Sequence, residues 1–225
     1  MKILFDHSIF LHQKFGGISR YIINLNNQLN KKKKLSQIFC PISINYYLKE
    51  TFINKINYLY ISKIPLFSRK IFFLINNIFT VIYFYILRPN FIHLSYYNNF
   101  YNYFKIPYVL TVYDLTHEKI KRNTQQFDKK RLIFNAKKIF CISESTKRDL
   151  IKIYKLNKKK IIVTHLGIEQ KIFNKKNKKK NILFVGSRSS YKNLNNLLIG
   201  FSKSKYLKKN FKLIVFGDKN FSDDE

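Results

Sequence analysis

The chain is short of acidic residues, of cysteine and of any nucleic-acid-binding signature, and each shortage excludes a class of protein. It has only two cysteines, Cys40 and Cys141, each inside an apolar, strand-like run. Such cysteines are typical of small buried hydrophobic residues in a reducing cytoplasm, not of a disulfide or a metal site. Zinc-finger spacing, a basic helix with interleaved aromatics and an RNA-binding signature are all missing, so specific nucleic-acid recognition is not expected. No secretory signal is expected either, because Met1 leads directly into a strand.

Acidic residues number 12 against 43 lysines and arginines, which gives a net charge of +31. A charge of this size attracts polyanions such as nucleic acid, anionic lipid or phosphorylated substrates. An AT-rich genome is a second explanation of the lysine excess, since Lys, Asn, Ile, Phe and Tyr are all abundant and all have codons rich in A and T. The charge therefore predicts salt-sensitive, non-specific binding and does not by itself define a partner.

One segment approaches membrane-spanning length, from Lys70 to Arg88, KIFFLINNIFTVIYFYILR. Asn76 and Asn77 interrupt its apolar character near the middle. We interpret it as a helix of the first domain, either buried or facing a membrane, in preference to a true span.

Strand and helix patterns alternate through the whole chain, which predicts an α/β protein with parallel sheets. The clearest central strand is 107–114, PYVLTVYD, and a single long strand is expected over 37–44 and another over 158–166. Buried His93 is expected to be a satisfied core histidine.

The segment 181–201, NILFVGSRSSYKNLNNLLIGF, predicts a buried strand, a glycine turn and a helix. That order places the unpaired N–H groups of a helix N-terminus beneath an anion. Arg188 and Lys192 lie in or beside the turn, where a guanidinium and an ammonium suit a diphosphate. Spacing alone favours a solvated basic loop over a binding site.

These motifs resemble those of the retaining family 4 glycosyltransferases, particularly the mannosyltransferase-like branch that makes bacterial surface polysaccharides. FVGSRSSYKN resembles the loop that holds the donor diphosphate, which implies that role for Arg188 and Lys192. GGISRY resembles the N-terminal loop, which implies that Gly16 and Gly17 face the donor phosphates and the acceptor. ISESTKRDLIKIY resembles the last helix of the N-terminal domain, so the resemblance extends over nearly the whole chain.

The resemblance also implies catalytic positions after the central strand. The family strand usually ends in His-Asp, with the histidine near the transferred sugar. Here Tyr113 precedes Asp114, and this departure leaves the sugar contact open. His117 matches a second histidine of the mannosyltransferase-like branch, so His117 and Asp114 are the catalytic candidates. No metal site and no cofactor are expected, since the nucleotide sugar is itself a substrate.

The implied fold is GT-B, with a complete N-terminal Rossmann-like domain and the first part of a second one. The corresponding boundaries are 1–166 for the acceptor-side domain, 167–180 for a linker and 181–225 for the nucleotide-sugar-binding domain. Only 45 residues follow Lys180, whereas an α/β domain usually has about 100 or more. The family's Glu-x7-Glu segment is also missing, so a truncated, inactive copy is the expectation.

The function implied is transfer of a hexose or mannose from a nucleotide sugar to a lipid-linked or saccharide acceptor, in polysaccharide or lipopolysaccharide synthesis. Two alternatives stay open: half of a split transferase completed by a partner chain, or a non-catalytic basic module that binds anionic membrane or nucleic acid. The expected location is the cytoplasm, with peripheral contact at the inner face of the cell membrane left open.

Overall fold

The computed structural model describes residues 1–50, 59–63, 65, 68–120, 126–167, 180–186 and 192–217; within these ranges the side chains of Glu50, His117, Ile120 and residues 126–128 lie outside the description. The chain divides into two compact units, Met1–Ile168 and Glu169–Glu225. The predicted domain boundaries stay a prediction, because most of the expected linker lies outside the described residues.

Unit 1 is built on a six-stranded sheet in which every neighbouring pair is parallel. Its strands, in chain order, are β1 (Lys2–Phe5), β2 (Leu35–Ile38), β5 (Phe91–Leu94), β6 (Tyr108–Val112), β7 (Ile139–Cys141) and β8 (Ile161–Val163). Across the sheet they lie in the order β2-β1-β5-β6-β7-β8. The predicted α/β class with a parallel sheet is confirmed.

Helices connect these strands, as parallel pairing requires. They are α1 (Ser8–His12), α2 (Gly17–Lys31), α3 (Tyr46–Glu50), α4 (Arg69–Leu87), α5 (Thr116–Ile120), α6 (Gln126–Asn135) and α7 (Glu144–Tyr154), with 3-10 turns at Asn99–Tyr103 and Lys158–Lys160. Ser143 caps the start of α7 by accepting a hydrogen bond from the N–H of Thr146 at 3.1 Å.

The core of unit 1 covers both faces of the sheet. Along β1, Leu4 packs into one apolar cluster while Ile3 and Phe5 pack into the other, because successive strand residues point to opposite faces. All five residues of β6 are buried, as expected for the central strand of a parallel sheet. Both cysteines are free and buried, in agreement with the sequence-based interpretation.

The single strand predicted over 37–44 is wrong, because the chain forms two strands there. β2 ends at Ile38, and after Pro41 the chain forms β3 (Ile42–Ser43), which pairs with β4 (Leu59–Tyr60) in a separate small sheet. On the side of β3 away from β4, the Asn76 side-chain amide accepts from the N–H of Ile42 at 2.9 Å and donates to its C=O at 2.8 Å. The strand expected over 158–166 is likewise shorter, since a 3-10 turn occupies its first three residues.

Unit 2 is described over β9 (Asn181–Val185), α8 (Leu194–Lys203), α9 (Lys205–Asn210) and β10 (Lys212–Phe216), and its two strands pair in parallel. Exposure alternates along both strands, so one sheet face is half-buried and the other is exposed. The exposed face carries the apolar side chains of Leu183, Val185, Ile214 and Phe216. Among the described residues of unit 2, only Leu194 is buried.

Candidate functional site

The strand order identifies where a ligand would bind in unit 1. From β1 the chain continues to β2 on one side of the sheet, and later to β5 on the other side. Loops that leave the carboxyl ends of β1 and β5 therefore run in opposite directions and open a crevice between them. In parallel α/β sheets ligands bind at such a switch point.

A buried polar network, centred on Asp6, lies at this point. Its Oδ1 accepts hydrogen bonds from the N–H and the hydroxyl of Ser95, both at 2.6 Å, and its Oδ2 accepts from the Ser8 hydroxyl. Asn98 extends the network by donating to Ser8 Oγ at 2.9 Å and to Asn77 Oδ1 at 2.8 Å. The network joins the ends of β1 and β5 to α4, so it fixes the floor of the crevice.

Burial perturbs the acid–base behaviour of this floor. It raises the pKa of Asp6 to about 6, against the opposing effect of hydrogen bonds from Ser8 and Ser95. Burial also lowers the pKa of His7 to about 3 and that of His93 to about 4. His93 Nε2 lies 2.8 Å from Thr111 Oγ1, which confirms the predicted core histidine. His7 Nδ1 similarly lies 3.1 Å from Thr80 Oγ1.

Gly16 and Gly17 form the start of α2, a 15-residue helix with no acidic side chain in its first turn. A Cβ at Gly16 would meet the side-chain amide of Gln13, so a larger residue there would displace that amide. Gln13 Oε1 accepts from the N–H of Ser19 at 3.4 Å, and Ser19 Oγ donates to the C=O of Gly16 at 3.0 Å. Among the described residues no hydrogen bond engages the N–H groups of Gly17 or Ile18, which suits them to an anion.

Asp114 lies exposed just beyond β6, where it accepts a hydrogen bond from the N–H of Thr116 at 3.0 Å. It therefore fixes the first turn of α5, the helix that contains His117. The His117 side chain lies outside the described residues. Behind α5, Glu118 pairs with Lys129 of α6 at 2.9 Å, and Lys119 pairs with Asp149 of α7 at 2.6 Å.

Two aromatic rings connect the start of α2 with the segment that contains Asp114. The ring of Tyr21, one turn into α2, meets that of Tyr113 edge to face at 6.0 Å. Tyr113 directly precedes Asp114, so the start of α2 with Gly16 and Gly17 lies next to the loop that follows β6. Tyr113 stands where the resembling family usually has histidine, and it is 9% exposed. Its hydroxyl has no hydrogen-bond partner within the described residues.

The basic turn of unit 2 is described in part, and Arg188 lies outside the described residues. Gly186 ends β9 with φ of 146°, and Gly217 ends β10 with φ of 112°. A Cβ on Gly217 would lie 2.7 Å from the C=O oxygen of Gly186, so neither position favours a larger residue. Lys192 lies against this turn, with its Cε 3.9 Å from the position of a Cβ on Gly186. α8 begins two residues later.

The two units thus each present a strand, a glycine turn and a helix, the arrangement expected for anion binding. Residues 15–171, more than half of the chain, match the model of Glycosyltransferase Family 4. The chain belongs to Glycosyltransferase Family 4. No curated protein sequence matches the chain.

Two solved structures show which fold this family member has. WaaB, a lipopolysaccharide outer core galactosyltransferase in its apo form, aligns over 96% of this chain and 68% of its own, with a TM-score of 0.59 and 13% identity. A glycosyltransferase from Rickettsia africae ESF-5 aligns over 95% of this chain and 67% of its own, with a TM-score of 0.52 and 15% identity. The fold is therefore the predicted GT-B type.

Sequence reasoning missed the polar floor of the crevice in this glycosyltransferase. Asp6 directly follows β1 and Ser95 directly follows β5, and polar residues in such positions are the signal that could have identified them. Their direct partners could not be read from spacing, because Asp6 and Ser95 are 89 residues apart. No group of three or more His, Cys, Asp or Glu side chains placed for a metal ion occurs in the described ranges.

Proposed function

We propose that this family 4 glycosyltransferase moves a hexose, mannose being the first candidate, from a nucleotide sugar to a lipid-linked or saccharide acceptor, with retention of anomeric configuration. The product belongs to surface polysaccharide or lipopolysaccharide synthesis at the cytoplasmic side of the membrane. The WaaB likeness supports a saccharide acceptor of that kind. The observation that carries the proposal is the pair of N–H groups at Gly17 and Ile18, which no hydrogen bond from another described residue engages, at the switch point of the sheet.

The chemistry breaks the bond between the sugar C1 and the diphosphate oxygen and forms a bond from C1 to an acceptor hydroxyl oxygen. The hydroxyl proton leaves with the departing diphosphate. Arg188 and Lys192 neutralise the charge that develops on the diphosphate, which is the electrostatic stabilisation that dominates such reactions. Within unit 1, the N–H groups at the start of α2 suit an anionic group of a substrate without any change of charge.

Asp114 and His117 act on the sugar side. Asp114 fixes the start of α5 through the Thr116 N–H, and His117 in that helix contacts the sugar. Tyr113 is turned into the core beside Tyr21, so it does not replace the family histidine. The sugar contact then falls to His117.

The test uses this chain joined to the C-terminal region of a family member and a panel of nucleotide sugars. Transfer to a saccharide acceptor with the donor's anomeric configuration in the product, read by NMR, supports the proposal. Lys192→Ala should lower kcat about a hundredfold, roughly 3 kcal/mol of barrier. Lys203→Ala, which removes a cation from the last turn of α8, is the control and should leave kcat unchanged. Equal rates for the two variants, or an inverted product, would refute the proposal.

A further inference from the structure

Helix α4 buries polar side chains and exposes apolar ones, which is the reverse of the usual pattern for a helix at a protein surface. Its three fully buried residues, Asn76, Asn77 and Thr80, are all polar. Its exposed residues are almost all apolar and recur at helical spacing. We call this stripe the outer face of α4 and define it by seven side chains that are each 46–72% exposed: Ile71, Leu74, Ile78, Phe79, Ile82, Tyr85 and Ile86.

By length and composition α4 could cross a membrane, and only 17% of its most apolar window is buried. Its buried side excludes that arrangement, because it is bonded laterally to unit 1 near both ends and in the middle. Arg69 donates to the C=O of Leu11 at 2.8 Å, Asn76 pairs with Ile42, and Thr80 lies 3.1 Å from His7. Tyr83 stacks on Phe39 with ring centroids 4.2 Å apart. The helix therefore lies along the domain.

Positive charge is placed at both ends of the outer face. Lys70 is exposed at its start and Arg88 at its end, and Lys2 Nζ lies 3.5 Å from the C=O of Leu87. α4 itself has no acidic residue, and the sequence between Asp6 and Asp114 contains one acidic residue, Glu50. Exposed Tyr85 lies within the stripe, and aromatic residues of this kind favour the membrane–water interface.

We propose that the outer face of α4 docks this protein in the plane of an anionic lipid bilayer, with the helix parallel to the surface. An apolar stripe flanked by cations matches both parts of such a surface, the acyl boundary and the anionic headgroups. A second copy of the chain fits worse, because it would bring the same cations together on a molecule of net charge +31.

The first experiment measures flotation of the full chain with vesicles of phosphatidylcholine alone or mixed with phosphatidylglycerol. We expect the Ile78→Gln/Ile82→Gln variant to bind the anionic vesicles at least about tenfold more weakly than the parent. The matched control is Leu35→Gln/Leu166→Gln, which removes two exposed leucines from other elements and should bind normally. Lys70→Gln/Arg88→Gln should lose affinity severalfold for anionic vesicles only.

The second experiment uses the absence of tryptophan from the chain. Tyr85→Trp introduces one reporter within the outer face, and Tyr206→Trp introduces one at a similarly exposed site in α9. With anionic vesicles, emission of the first should shift to shorter wavelength and be quenched by brominated lipid, while the second should not change.

Three results would overturn the proposal. One is failure of either vesicle test, that is, equal vesicle binding by the parent and by Ile78→Gln/Ile82→Gln or no brominated-lipid quenching of Tyr85→Trp. Another is resistance of the membrane-bound protein to alkaline extraction, which would mean that α4 spans the bilayer. The third is a lipid-free dimer, seen by sedimentation velocity, that dissociates in Ile78→Gln/Ile82→Gln, which would make a second copy the occupant.

Discussion

Unit 1 and unit 2 use the same building block, parallel strands joined through helices, yet they bury it to very different extents. The six strands of unit 1 have apolar clusters on both faces, whereas β9 and β10 have one half-buried face and one exposed face. Parallel sheets are normally covered on both sides. The same pattern of strand, turn and helix is thus covered to different extents in the two units, so we expect their stabilities to differ.

The largest expected effect concerns activity. The chain alone should show no turnover with any nucleotide sugar, because the exposed apolar face of β9 and β10 leaves the Gly186 turn, which we propose holds the donor, on a weakly supported sheet. Joining the C-terminal region of a family member should restore transfer. A donor-panel assay of the two proteins checks this, and turnover by the chain alone would contradict the contrast between the units.

A matched pair of leucine substitutions, one in each unit, tests the same contrast in stability. Leu110 in β6 is fully buried, and Leu183 in β9 is 60% exposed. Leu110→Ala should lower the free energy of unfolding by about 3 kcal/mol, as large cavities do. Leu183→Ala should cost about 0.5 kcal/mol or less, as surface changes do. Denaturant melts of both variants measure this, and similar losses would mean that the exposed face is covered in solution.

Proton-linked stability should reside in unit 1. His7 and His93 have folded pKa values of about 3 and 4, below their ordinary 6.5, so their contribution is present above pH 6.5 and is lost on acidification. Asp6 has a folded pKa of about 6, above its ordinary 3.8, so its contribution is present below pH 3.8 and is lost as pH rises through 6. Between about pH 4 and 6 the unfolded state binds two protons on the histidines, and the folded state binds one proton on Asp6. The unfolded state therefore binds one proton more than the folded state.

The free energy of unfolding should therefore fall by about 1.4 kcal/mol per unit of acidification in that window from these three groups. Asp6→Asn removes the proton held by the folded state, so the slope should about double. Urea melts across the pH range measure both slopes. A slope in Asp6→Asn equal to that of the parent would show that Asp6 is ionised in the folded protein.

The smallest effect concerns two equivalent helix caps. Ser143 caps α7 of unit 1 and Ser204 caps α9 of unit 2, with Oγ to N–H distances of 3.1 and 3.2 Å. Each serine-to-alanine change should weaken its own helix by about 1 kcal/mol. Amide hydrogen exchange should detect both, whereas only Ser143→Ala should lower the midpoint of the main unfolding transition. An equal shift from Ser204→Ala would mean that the units unfold together.

Much of the fold followed from the sequence, because β1, β6, α2 and α7 have strong periodicity and clear ends. The errors in the predicted strands arose where a single residue, or one contact between residues far apart in sequence, determines the local structure. Pro41 separates β2 from β3, and the inward orientation of Asn76 is set by Ile42, 34 residues away. Of the site, the glycine turns were readable as motifs. The Asp6 network was not, since it depends on strand order, which no local pattern encodes.

The pairing of the Asn76 amide with both backbone groups of Ile42 has a further consequence for how the molecule behaves in a crowded cell. An unpaired strand edge is a template on which another chain can add a strand, and this leads to aggregation. One carboxamide imitates the missing neighbour of β3 and leaves no hydrogen-bonding position at Ile42 for an intruding strand. In a chain rich in isoleucine and phenylalanine, a single side chain from a helix thus closes the edge of β3 at Ile42 to strand addition.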